Sequence, residues 1–138
     1  MTMKVEYTDE EPNGLASMIG GLIEANLASD PKRARLLGPP AMVGIVARDA
    51  EVACTVRLAP DRVTVANGLT GSQAVIVRAD TETLTDLTTV PLRMGFPDAM
   101  TSAGRAVTAK LLKGDLKVRG LARHPRVVSR LNRLLSVA

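Results

Sequence analysis

The segment from Met42 to Asn67 constrains the fold more than any other part of the chain. It holds two turn-forming dipeptides, Asp49-Ala50 and Pro60-Asp61, and proline suits the second position of a type I turn. With the chain reversing at both, Ala47 stands opposite Val52, Ile45 opposite Cys54 and Val43 opposite Val56. Leu58 then meets Val63 and Val56 meets Val65, while Arg57 and Thr64 look the other way. Two turns chosen on turn chemistry alone give one unbroken apolar face across three antiparallel strands. A slip of one residue would send every one of those side chains to the opposite face, so the register is strongly specified. Arg48 falls opposite Glu51, a cross-strand pair worth about a few tenths of a kcal/mol.

An apolar sheet face needs a cover. Asn13 caps a first helix in which Leu15, Met18, Ile19, Leu22 and Ile23 recur at helical spacing. Gly20-Gly21 in its middle costs about 1 kcal/mol per glycine, so tertiary packing has to hold that helix. Asp30-Pro31 reads as the N-cap and first position of a second helix, stopped at Gly38 before Pro39-Pro40. Gln73–Arg78 is a fourth strand, rich in Val and Ile. Asp80 or Thr81 caps a helix containing Leu84 and Leu87 that breaks before Pro91, and Pro91–Pro97 reads as irregular. Asp98 caps a helix running to Lys113 that presents Met100, Ala103, Val107 and Leu111, with Gly114 at its stop. Leu116–Arg119 alternates apolar and basic, as a fifth strand would. Pro125 opens a closing helix with Val127, Val128, Leu131, Leu134 and Leu135 on one face and Arg123, Arg126, Arg130 and Arg133 on the other. The fold class expected is α/β (α+β): a single five-stranded mixed, mainly antiparallel sheet covered by helices.

A chain of 138 residues fits one domain, read as residues 13–138, with residues 1–12 as an N-terminal tail. That tail carries Glu6, Asp9, Glu10 and Glu11 and has no apolar core of signal-peptide length. No stretch reaches the roughly 18 apolar residues of a membrane span, so a soluble, cytoplasmic protein is expected. The single cysteine, Cys54, excludes an intramolecular disulfide and fits a reducing compartment. Since His124 is the only histidine, Cys and His cannot build a zinc site, and only a carboxylate-rich metal site would survive. No metal or cofactor is expected. Tyr7 and Phe96 are the only aromatics, so the core is aliphatic and stacking on single-stranded nucleic acid has almost nothing to work with.

The candidate reactive groups have ordinary local readings. Cys54 sits mid-strand on the apolar face, where a free thiol is core. His124 precedes Pro125 among arginines that disfavour its charged form, and reads as a surface residue at a helix entry. The pairs Asp80/Glu82 and Asp49/Glu51 lie at turns and helix starts, where carboxylates serve local roles. No phosphate loop, dinucleotide fingerprint or nucleophile elbow is present. The expectation is that the chain is not an enzyme.

Charge is unevenly spread. Residues 1–103 hold nine Lys and Arg against thirteen Asp and Glu, a net −4, whereas residues 104–138 hold nine against Asp115 alone, a net +8. Such a split points to a surface that meets an anionic partner. The arginine stripe of the closing helix reads as a solvated face, a contact for nucleic-acid phosphates or a contact for anionic lipid headgroups. The missing aromatics, and the lack of a helix-turn-helix or ribonucleoprotein signature, weigh against nucleic acid. Met18, Met42, Met94 and Met100 read as core filler or as the lining of an adaptable apolar pocket.

From Ala41 onward the chain resembles the sterol carrier protein family of small sterol- and lipid-binding domains. "MVGIVARDAEVACTVRLAPDRVTVANG" is similar to that family's opening antiparallel strands, and "AVIVRADTETLTDL" to its fourth strand running through an Asp into a capped helix. "LLKGDLKVRG" resembles its helix end, glycine and basic-apolar strand, and "HPRVVSRLNRLLS" its closing helix. The matching positions are scaffold ones: the Asp80 cap, Gly114 and Gly120. The chain departs from the pattern in lacking strand aromatics and in a longer connection over Val90–Arg105. It also ends without a peroxisomal address, as a bacterial stand-alone member would.

The resemblance implies that sheet and helices enclose an apolar cavity for non-enzymatic binding and transfer of a sterol, fatty acid or acyl lipid. Burying a lipid chain gains about 0.8 kcal/mol per methylene, so such a cavity needs no catalytic group. Val43, Ile45, Cys54, Val56, Val65, Val77, Met100, Val107, Leu111, Leu131 and Leu135 are expected to face that cavity or the core beside it. Arg123, Arg126, Arg130 and Arg133 are expected to dock on anionic membranes. The alternative is an accessory or dimerisation domain with a filled core and a basic face for a protein or nucleic-acid partner.

Overall fold

Val43, Ile45, Cys54, Val56, Leu58, Val63 and Val65 all lie buried on one side of a sheet, in the pairing that the turn chemistry predicts. The computed structural model describes residues 4–137; the first three residues of the expected tail and Ala138 lie outside them. Strands β1 (Lys4–Tyr7), β2 (Ala41–Ala47), β3 (Val52–Ala59), β4 (Arg62–Asn67) and β5 (Val75–Ala79) precede a two-stranded ribbon, β6 (Leu92–Arg93) and β7 (Phe96–Pro97), and a last strand, β8 (Lys117–Arg119). The helices are α1 (Gly14–Ser29), α2 (Thr81–Thr89), α3 (Ser102–Lys113) and α4 (Pro125–Leu135), with a 3-10 stretch over Pro31–Leu37. The main sheet runs β1-β4-β3-β2-β5-β8. β1 is parallel to β4 and β5 to β2, and the other pairs are antiparallel.

The sheet thus has six strands rather than five, because residues 4–7 of the expected tail add an edge strand. Val5 is the residue of that strand that packs on the core, too little apolar signal to mark a strand. Tyr7 explains a glycine that helix propensity leaves unexplained. A Cβ at Gly20 would stand 2.3 Å from the Tyr7 hydroxyl, so the ring of β1 occupies the space a side chain at position 20 would take on α1.

Several local expectations give way to longer-range bonds. Arg48 does not pair with Glu51; it donates to the Asp115 carbonyl, and Glu51 takes a positive φ of 52° in the turn. The second helix is the 3-10 stretch, and the Leu36 carbonyl near its end accepts from Arg130. The helix expected from Asp98 starts at Ser102. Thr101 caps it, accepting from the Gly104 N–H at 3.0 Å, while Asp98 closes the turn before it by accepting from the Met100 N–H at 2.9 Å. The irregular segment Pro91–Pro97 is the β6–β7 hairpin. Asp80 occupies the N-cap of α2 without a side-chain capping bond. Asp49, from the β2–β3 turn, accepts instead from the Thr81 N–H and hydroxyl, both at 2.9 Å. Those bonds, the backbone one foremost, hold the Asp49 carboxyl below the usual carboxylate range.

The core lies between the sheet and the helices. α1 buries Leu15, Ala16, Ile19, Gly20, Ile23, Asn26 and Leu27 along one face. Its N-terminus is fixed by Asn13, whose side chain accepts from the Ala16 N–H and donates to the Ala53 carbonyl. Its other end is tied to α4 by Asn26, which donates to the Leu134 carbonyl at 2.7 Å. Gly114 and Gly120 have φ of 85° and 89°, the left-handed region that glycine enters freely. Gly114 ends α3, and a Cβ at Gly120 would strike the Ala74 carbonyl at 2.2 Å.

Candidate functional site

Where α1, α2 and α4 meet β2 and β5, the described residues leave an apolar void of about 20 Å³. Its walls are Ile19, Ile45, Val77, Leu84, Leu87, Leu131 and Leu135, with Asn132 as the one polar side chain. Of the residues expected at a cavity, Ile45, Val77, Leu131 and Leu135 are therefore brought together here. Val43, Cys54, Val56 and Val65 are buried in the core on the same side of the sheet. Burial pushes the Cys54 thiol up to about 12, so it stays a neutral, inert core group at ordinary pH. Val107 is buried under α3 and borders a shallow groove of about 190 Å³ between α2 and α3, with Ala103, Ala106 and Lys110.

Two expected residues do not belong there. Met100 is 77% exposed because α3 begins after it, and Leu111 is 37% exposed at the far end of a helix that buries only Gly104 and Val107. Ile19, Leu84 and Leu87 were readable as apolar positions of their helices, and the void lies where those apolar faces converge. The roomy hollow expected between sheet and helices is also corrected. A void of 20 Å³ holds about one water, against roughly 300 Å³ or more for a ligand pocket. Branched aliphatic side chains from both layers fill the space between them.

The wall on the α2 side is thin. α2 has the sequence TETLTDLTT and buries only Thr83, Leu84 and Thr88. Threonine is β-branched and a weak helix former. α2 is held to α3 through Lys110, which donates to Thr83 Oγ1 at 3.2 Å and to Asp86 Oδ2 at 3.3 Å. Both ends of that ion pair are partly exposed, so it stabilises little.

Of the four arginines of the closing segment, Arg126, Arg130 and Arg133 border one groove, and only Arg123 lies elsewhere. Arg130 donates to the carbonyls of Leu36 at 2.7 Å and Pro39 at 2.6 Å, and its partial burial lowers its pKa. It locks α4 to the 3-10 stretch. Arg123 lies apart, in a broad groove with Arg119 and His124 beside Ile76 of β5. Arg126 and Arg133 remain exposed on α4, beside the β6–β7 hairpin. Lys32 and Arg35 stand nearby, from a basic run in "PKRARLL" that the charge count of the C-terminal segment leaves out. Among the described residues no group of three or more His, Cys, Asp or Glu is placed to hold a metal ion, and no helix is long and apolar enough to cross a membrane.

No protein-family model matches the chain, and no curated protein matches it. Among solved structures it is similar to a UbiJ-SCP2 ubiquinone synthesis protein, with a TM-score of 0.56 and 20% identity over 88% of this chain and 90% of that one. A conserved hypothetical protein from Thermus thermophilus, described as "possibly sterol carrier protein", aligns over 96% of this chain and 92% of its own, with a TM-score of 0.45 and 11% identity. The chain has the SCP2-like fold, that of the sterol carrier proteins.

Proposed function

We propose that the chain is a non-enzymatic binding domain for an apolar ligand (a sterol, fatty acid or acyl lipid) that enters between the sheet and α2. The observation carrying this reading is the aliphatic void at the junction of α1, α2 and α4, closed on one side by a short, threonine-rich helix. A closed interior is what an empty binding domain should adopt. An unfilled 300 Å³ space would cost about 7 kcal/mol at 24 cal/mol per Å³, comparable to the whole stability of a small domain. Without a guest, the walls collapse. With one, α2 moves outward, the groove beside α3 gives it room, and the weak Lys110–Asp86 latch yields. The void offers a flexible chain aliphatic contacts and a single amide, which suits recognition by size and apolarity.

A second reading is favoured by the filled interior: an accessory domain acting through its surface. The UbiJ-SCP2 ubiquinone synthesis protein shares the fold and is compatible with it. Titrating the lipid-stripped full chain with a fluorescent fatty acid separates the two. The first reading predicts saturable one-to-one binding, weakened about tenfold or more by Leu87→Trp, which places a ring in the ligand's space. Absence of saturable binding overturns it and leaves the accessory domain.

A further inference from the structure

The tip of the β6–β7 hairpin is built against its own local preference. Its two-residue loop, Met94-Gly95, has φ of 56° and 84°, as in a type I′ turn, where Asn-Gly is the favoured pair. A methionine in the left-handed region is uncommon, and this one is also 80% exposed. Conformation and solvent both disfavour it, and no packing compensates. The turn itself is firmly held. Ser129 Oγ donates to the Met94 carbonyl at 3.1 Å, Asn132 Nδ2 donates to the Gly95 carbonyl at 2.9 Å, and a Cβ at Gly95 would collide with Ser129 Oγ at 1.8 Å. The hairpin is thus seated on α4, with Leu92 and Phe96 packed against the core and Met94 held out.

The hairpin borders two basic grooves that share Arg133. At one, Met94, Phe96 and Pro125 border a groove of about 340 Å³ with Arg126, Arg130 and Arg133. At the other, Leu92 borders a groove of about 270 Å³ with Lys32, Arg33, Arg35 and Arg133, where Asp30 is the only acid among the described residues and pairs with Arg33 at 3.7 Å. Arg33 and Arg130 are anchored to backbone carbonyls. Lys32, Arg35, Arg126 and Arg133 make no ion pair among the described residues. These four cations, in two grooves beside a hairpin with an exposed apolar tip, match a layer of anionic headgroups lying over hydrocarbon. Nucleic-acid phosphates would satisfy the cations and leave Met94 in water.

We infer that this face docks on an anionic bilayer, with Met94 entering the headgroup boundary and Lys32, Arg35, Arg126 and Arg133 meeting the headgroups. The inference stands whether or not the interior takes a ligand. Each cation at an anionic surface is worth about fivefold in binding, and an inserted apolar tip about tenfold. The test is co-sedimentation of the full chain with phosphatidylcholine vesicles, with and without phosphatidylglycerol, and a parallel titration with single-stranded RNA. Binding is expected only where phosphatidylglycerol is present, falling with added salt. The exposed triple change Lys32→Gln, Arg35→Gln and Arg126→Gln should weaken it about a hundredfold. Met94→Asn, which turns the loop into the preferred Asn-Gly and so keeps the hairpin folded, should weaken it about tenfold. Equal binding to pure phosphatidylcholine, undiminished binding by the Met94→Asn chain, or RNA binding as tight as vesicle binding would overturn the inference.

Discussion

The two ends of the interior share one sheet and one aliphatic composition, yet they are closed by unlike helices. α1 has sixteen residues, buries seven of them and is capped by its own Asn13. α2 has nine, buries three, and has its first turn held by Asp49 from the β2–β3 turn. The void lies where the two covers meet, with Ile19 of α1 on one side and Leu84 and Leu87 of α2 on the other. On the proposed reading, sealing and access fall to different helices. The long helix consolidates the core, and the short one closes it through a few exchangeable polar contacts.

The largest effect should fall on the sealed side. Ile23 is fully buried, and Ile23→Ala is expected to cost about 2–5 kcal/mol, including the cavity it leaves. Leu87 is half-buried beside the void, and Leu87→Ala should cost about 1 kcal/mol. Urea unfolding midpoints compare the two, and equal losses would erase the distinction between the helices. A smaller effect follows from acid. The Asp49 pKa is lowered in the folded chain, so its contribution is complete above the ordinary carboxylate pKa and is lost as pH falls through the lowered value. Far-ultraviolet circular dichroism should show a small helical loss in that acid window that is already present at neutral pH in an Asp49→Asn chain. Identical acid profiles for the two chains would show that Asp49 does not hold α2.

Much of this architecture was legible where the determinants are local. The β2–β3–β4 register follows from two turns and a period of two, and the structure reproduces the strand pairings read from them, with Arg48 and Glu51 at the turn as the exception. The α1 cap was legible for the same reason. What escaped is non-local. β1 pairs in parallel with a strand far along the chain and offers the core little but Val5. Asp49 reaches α2 only because β2 and β5 lie side by side. Helical periodicity put Arg130 with Arg126 and Arg133 but carries no sign that its guanidinium would find the Leu36 and Pro39 carbonyls. Met100 was misplaced by an error of a few residues in where α3 begins, since Thr101 rather than Asp98 supplies the cap. The void itself depends on three helices converging, which no single periodic pattern contains.

On the proposed reading, α2 is the movable wall of this interior. Amide hydrogen exchange of the lipid-stripped chain, followed with and without a saturating fatty acid, tests it most directly. Without ligand, α2 and α3 should exchange much faster than α1 and β3, and the fatty acid should slow α2 and α3 selectively. Exchange in α2 as slow as in α1, and unchanged by the fatty acid, would contradict it.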